Sequence, residues 1–171
     1  MGVFKRYELL FFTATILEWK HLLKPDKYKD IIINSLWFLV SQHRVAIHAF
    51  VIMDNHLHII WQIIAPNTKG AVQRDFLKYT AQTIKFDLID HHPEVLSHFK
   101  VNARDRVYQF WERNALSVDI WTEAVLRQKL NYIHENPVRA GMTIRAADYL
   151  YSSAKFYETG IDDFGFLTFY Q

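Results

Sequence analysis

The stretch VAIHAFVIMDNHLHIIWQII, residues 45–64, fixes more about this chain than any other part of it. Residues 45–53 and 56–64 are two runs rich in β-branched and aromatic residues, with MDN as a short turn between them. Strands joined so closely form an antiparallel hairpin, because a parallel pair needs a crossover of a dozen or more residues. Side chains alternate along a strand, so Leu57, Ile59, Trp61 and Ile63 leave one face while His56, His58, Ile60 and Gln62 leave the other. One face is wholly apolar. The other carries two imidazoles with Cβ atoms roughly 7 Å apart, close enough to share one metal ion. Taken alone, the pair fits two hydrogen-bonded histidines on a sheet surface better than a metal site, which needs a third donor.

The remaining chain supplies the other layers. Residues 7–16 (YELLFFTATI) read as a buried first strand, and residues 26–42, after Pro25, as a helix with Ile31, Leu36, Leu39 and Val40 near helical spacing. A second helix covers 69–90, with Val72, Phe76, Tyr79 and Thr83 on one side, followed by a polar loop over 91–105. Residues 107–111 (VYQFW) are predicted as the fourth strand. A third helix, 122–135, is predicted to begin with Thr122 as N-cap and to end before Pro137. The order strand-helix-strand-strand-helix-strand suits an α+β domain, an antiparallel sheet with helices packed on it. Neither a repeat nor a linker divides the chain, so residues 1–171 read as a single domain, with 143–171 a C-terminal extension whose aromatic residues pack back on the body.

Composition narrows the function class. The absence of cysteine excludes disulfides, zinc-thiolate centres and cysteine nucleophiles. The first twenty residues lack a secretory pattern, and no apolar run nears the ~20 residues that span a bilayer. A soluble, cytoplasmic protein without a membrane partner is expected. A net charge of +2 permits a nucleic-acid partner without demanding one.

The third helix contains KLNYIHENPVRAGM, residues 129–142, in which Asn136 follows Tyr132 by one turn while Leu126, Leu130 and Ile133 form the sheet-facing side. Spacing alone favours a half-buried tyrosine and a helix C-cap asparagine.

FVIMDNHLHIIW (50–61) and YIHENPVRAG (132–141) together resemble the two signature motifs of the HUH single-tyrosine transposases, a superfamily that includes the insertion-sequence transposases. The second motif is closer to the REP-associated tyrosine transposases. FFTATILEWKHLL (11–23), FWE (110–112) and YLYSSAKFY (149–157) fall in the same order, so the likeness covers nearly the whole chain. It implies a ferredoxin-like or RRM-like fold with a C-terminal catalytic helix against the sheet. It makes His56, His58 and Asn136 metal ligands and Tyr132 the nucleophile. It further implies Mg2+ or Mn2+ as cofactor, although donor type alone leaves zinc open. The implied activity is nicking and joining of single-stranded, hairpin-containing DNA through a 5′-phosphotyrosine intermediate.

Gln62, Asp54 and Asn55 are candidate partners for the histidines' other ring nitrogens, and His134 is read as structural. Asp54 replaces the family's usual proline, in a turn that tolerates either. DNA contacts are expected from Arg74, Lys78, Lys85, Arg104, Arg106, Lys129 and Arg139, with Tyr79 and Tyr108 available for stacking. Two other classes compete: a domesticated hairpin-DNA-binding protein without turnover, against which the four intact site residues weigh, and an RNA-binding module, which would need exposed aromatics where the strand carries histidines. Monomer and homodimer, and a site built within one chain or across two, both stay open, as do the hairpin recognised and the choice between mobile element and domesticated copy.

Overall fold

The computed structural model describes residues 9–170. Its elements are β1 (Leu9–Thr15), α1 (Asp26–Ser41), β2 (Val45–Ile52), β3 (His56–Ile63), α2 (Lys69–His91), α3 (Pro93–Ser97), β4 (Leu116–Asp119), α4 (Glu123–Arg139) and α5 (Ala154–Thr159). The strands form one antiparallel sheet in the order β2-β3-β1-β4, which is the ferredoxin-like arrangement. Tyr7 and Glu8, expected in the first strand, lie outside the described residues. Among the described residues no helix is long and apolar enough to cross a membrane.

The three strands β1, β2 and β3 are largely buried on both faces. Leu10, Phe12 and Ala14 of β1 and Leu57, Ile59 and Trp61 of β3 join Ile32 and Leu36 of α1 and Val72, Phe76 and Ile84 of α2 in the larger core. Phe11 and Ile60, on the opposite face, pack with Val51, Leu126 and Ile133 in a smaller one. α4 therefore lies on the histidine face, held there by Leu126 and Ile133 and flanked by the half-buried Leu130. On α2 the buried stripe is Val72, Phe76, Thr80, Ile84 and Leu88, whereas Tyr79 of the expected inner side is exposed.

Two expectations need correction. Residues 107–111 are not the fourth strand: they make only isolated bridges, Lys100 with Tyr108 and Ile16 with Trp111. Their apolar character comes from Phe110 and Trp111 entering the larger core, where Trp111 Nε1 donates to Thr80 Oγ1 at 3.1 Å. The fourth strand is β4, which pairs with β1 at the sheet edge. Its side chains are largely exposed, so it lacks the hydrophobic pattern that marks a central strand.

α4, in turn, does not end before Pro137. Thr122 caps its start by accepting from the Val125 N–H at 3.2 Å, but the helix runs on to Arg139 with Pro137 buried inside it. It ends in a Schellman motif: the Gly141 N–H donates to Val138 O and the Met142 N–H to Pro137 O, with Gly141 at φ 71°. Gly141 can adopt that left-handed conformation without a Cβ penalty, so the stop is set by the glycine. Asn136 is therefore a helical residue rather than a cap, and its side chain remains available.

The polar loop expected at 91–105 contains the short helix α3. Beyond α4, Val51 bridges to Ser152 and Ile47 to Leu167, and Tyr151, Phe156 and Phe166 are buried. The C-terminal stretch thereby covers the open edge of β2, whose unpaired backbone groups would otherwise invite intermolecular pairing.

Candidate active site

β3 brings His56 and His58 to the α4 face with their ring centroids 5.0 Å apart. Each Nδ1 has a partner. His56 Nδ1 lies 2.7 Å from Asn55 Oδ1, an acceptor, so that nitrogen carries the proton and Nε2 keeps its lone pair. His58 Nδ1 lies 2.7 Å from Oγ1 of Thr13, its direct partner across the β1–β3 ladder. His58 Nε2 is buried without a hydrogen-bond partner.

Burial lowers the pKa of both imidazoles. That of His58 falls to about 3, through burial first, then through repulsion from His56 whenever that ring is protonated, and then through the charges of Lys129 and Arg139. Both rings are neutral at ordinary pH, the form in which an imidazole nitrogen can bind a cation.

α4 delivers the other two expected residues. Asn136 Nδ2 is 3.4 Å from His56 Nε2, and rotating the amide exchanges this nitrogen for Oδ1. The Tyr132 ring meets the His58 ring edge-on at 5.2 Å and Phe11 at 6.2 Å, yet the residue is 44% exposed to solvent. Arg139 covers the same ring, its Cζ 4.8 Å from the centroid, and donates to Tyr132 O at 2.9 Å. Lys129 Nζ lies 4.7 Å from the Phe11 ring. Two positive charges thus flank a neutral histidine pair, an arrangement complementary to a phosphate.

Of the candidate partners for the ring nitrogens, Asn55 takes that position. Gln62 Oε1 instead lies 3.2 Å from His48 Nε2, and Asp54 accepts from the buried Lys29 at 3.0 Å. Thr13 was not anticipated, because finding it requires the register between β1 and β3. His134 Nε2 lies 2.8 Å from Ser153 Oγ, and burial lowers its pKa to about 4.

Among the expected DNA contacts, Lys129 and Arg139 lie beside the histidines, whereas Arg74, Lys78 and Lys85 belong to α2 on the opposite face of the sheet. Arg104 and Arg106 lie in the segment before β4, where Arg106 pairs with Asp105 at 2.8 Å; Arg74 likewise pairs with Asp75 at 3.2 Å. Tyr79 is exposed and Tyr108 is partly buried against the larger core.

Among the described residues no three His, Cys, Asp or Glu side chains gather where a cation could be held. A cation held at this pair would therefore take its third donor from a group of another type, and the Asn136 amide is one. The chemistry of such a set, two neutral imidazoles and an amide with one Nε2 left without a partner, fits a divalent ion.

No protein-family model and no curated protein matches the sequence. Solved structures do. One is a REP-associated tyrosine transposase bound to a REP hairpin, 18% identical, covering 96% of this chain and 90% of that chain with a TM-score of 0.65. Another is a protein from Deinococcus radiodurans R1 provisionally described as a transposase, 14% identical, covering 80% of this chain and 95% of that chain with a TM-score of 0.46. Over nearly its whole length, this chain has the fold of the REP-associated tyrosine transposase.

Proposed function

We propose that this chain is an HUH single-tyrosine transposase of the REP-associated type, which nicks and joins single-stranded DNA carrying a hairpin. The observation that carries the reading is the meeting of Tyr132 and Asn136 of α4 with the His56–His58 pair of β3, two motifs some seventy residues apart in sequence. The shared fold supports it, and the hairpin bound by the REP-associated transposase supports the substrate class.

His56 and His58, through Nε2, and Asn136, through Oδ1, are the residues that would hold Mg2+ or Mn2+, with Asn55 and Thr13 fixing the two rings from behind. Such an ion, when bound, polarises a non-bridging phosphate oxygen and offsets the charge that develops on it. Lys129 and Arg139 draw the DNA backbone to this end of the sheet.

Tyr132 Oη attacks phosphorus in line, a new O–P bond forms, the P–O3′ bond breaks, and the upstream strand leaves as a 3′-hydroxyl. The phenolic proton passes to water, and the departing oxygen takes a proton from water. The downstream strand stays joined to Tyr132 as a 5′-phosphotyrosine ester. Attack by another 3′-hydroxyl reverses these steps on a new partner, so the ester conserves the energy of the broken bond and joining needs no nucleotide triphosphate.

The test is incubation with hairpin DNA from the regions flanking the gene, in Mn2+, followed by a denaturing gel. A covalent protein–DNA adduct that is lost on Tyr132→Phe is the expected result. Binding of the hairpin with no adduct would favour a domesticated binding protein and overturn the proposal.

A further inference from the structure

Trp19 is 59% exposed, as are Trp37 and Trp121 to a similar degree, but of these three described residues it alone meets a ring of the histidine pair. Its ring meets that of His56 edge-on at 5.7 Å. The backbone beneath it is strained: Glu18 and Trp19 are consecutive non-glycine residues with φ of 55° and 56°. Several contacts hold this conformation. The Glu18 N–H donates to Glu112 Oε1 at 2.6 Å, the Trp19 N–H to Ile16 O at 2.9 Å, and Asn55 Nδ2 to Trp19 O at 3.4 Å. Asn55 is the residue whose Oδ1 fixes His56, so one side chain orients both the imidazole and the turn that presents the indole. Glu112 closes the FWE motif, and its own N–H donates to Thr15 O at 2.7 Å. A strained turn braced by two separate segments, with a large aromatic ring left open to solvent, is expensive to keep unless the ring has something to meet.

We infer that Trp19 is a base-stacking subsite of this active site, taking the nucleobase immediately 5′ of the scissile phosphate. The inference rests on the function proposed above and names a part of the substrate that it leaves open. Tyr132 meets the histidine pair at His58, and Trp19 meets it at His56. In-line attack puts the leaving oxygen on the side of phosphorus away from the tyrosine. A phosphate held at the pair therefore sends its 3′-leaving nucleotide toward the Trp19 flank, where an indole stacks on any base because every base has a π-face. The base would be gripped before cleavage and would hold the freed 3′-hydroxyl near the ester for rejoining.

The cleaved bond is first mapped with native protein on labelled hairpin DNA from the gene's flanks, and single abasic sites are then placed immediately 5′ or 3′ of it. Trp19→Ala is expected to raise the half-saturating DNA concentration about tenfold, within the range for loss of one stacked base, and Trp19→Tyr to recover most of this. The 5′ abasic site should weaken native protein by the same factor and add nothing to Trp19→Ala. Unchanged Mn2+ binding and thermal midpoint in Trp19→Ala separate the effect from misfolding. Undiminished binding by Trp19→Ala, or a penalty confined to the 3′ abasic site, overturns the inference. If native protein cleaves no DNA, the proposed function fails. The affinities of native protein and Trp19→Ala for the intact hairpin then decide the stacking question: a tenfold difference supports it, and equal affinities refute it.

Discussion

Thr13 Oγ1 sits 2.7 Å from His58 Nδ1, directly across the β1–β3 ladder, so the orientation of one expected ligand is set by a residue forty-five positions earlier in the chain. Partners of this kind hold a ligating ring in place, and their loss typically weakens metal affinity about 10- to 100-fold. Thr13→Val is accordingly expected to weaken Mn2+ binding by about that factor, and Thr13→Ser to preserve it, as measured by calorimetric titration. Equal affinity for native protein and the valine variant would show that His58 needs no such support.

The turn before His56 has its own anchor. Lys29 is 3% exposed and donates to Asp54 Oδ1 at 3.0 Å and to Lys24 O at 3.1 Å, so the aspartate that stands where the resembled motif has proline has a buried counter-charge. Removing one member of a buried pair strands the other. Because Asp54 retains some exposure, Lys29→Met is expected to cost about 2–3 kcal/mol in denaturant unfolding. Adding Asp54→Asn should recover most of that loss; a double variant no more stable than the single one would place the cost in lost packing.

Alkaline stability should reflect four tyrosines. Burial, the largest cause in each case, raises the pKa of Tyr28, Tyr149, Tyr151 and Tyr157, that of Tyr157 to about 12. Their hydroxyls donate to Asp87, Ile52 O, Asp30 and His48 O. A pKa raised in the folded state means that the unfolded chain releases the proton first. The stabilisation is therefore complete below the ordinary value of ~10 and is lost as pH rises through the folded values. Tyrosinate absorbance should accordingly show a late rise that coincides with unfolding, as these four of the nine tyrosines ionise only then. A single transition near the ordinary value, with the fold intact, would contradict this.

Ile133, fully buried between Tyr132 and His134 in sequence, ties α4 to the sheet. Ile133→Ala should cost about 2–5 kcal/mol, the usual range for removing a buried large aliphatic side chain. It should also slow adduct formation more than it weakens DNA binding, because Tyr132 and Asn136 ride on the helix it anchors. Thermal denaturation and adduct kinetics measure the two effects.

What could be read from the sequence followed from the range of the interactions involved. Alternation alone put His56 and His58 on one strand face, and helical spacing put Leu126 and Ile133 on the face that packs. The misplaced fourth strand shows where pattern reading stops. β4 is an exposed edge without a hydrophobic signature, while Phe110 and Trp111 carry a strand-like signature because irregular backbone feeds them into the core. The end of α4 was legible in principle, since Gly141 is a stronger stop signal than a proline that a helix can absorb. Thr13, Lys29 and Trp19 were not legible, because each acquires its role through a contact between segments distant in sequence. The basic residues on α2 had the right chemistry, but only the packing reveals that they lie across the sheet from the histidines.

The central claim is that the Tyr132 oxygen becomes bonded to DNA. After reaction with hairpin DNA in Mn2+, nuclease trimming and tryptic digestion, mass spectrometry should find the residual 5′-phosphorylated nucleotide on the peptide spanning residues 130–139, with fragmentation assigning it to Tyr132. A nucleotide carried by any other residue would contradict the account.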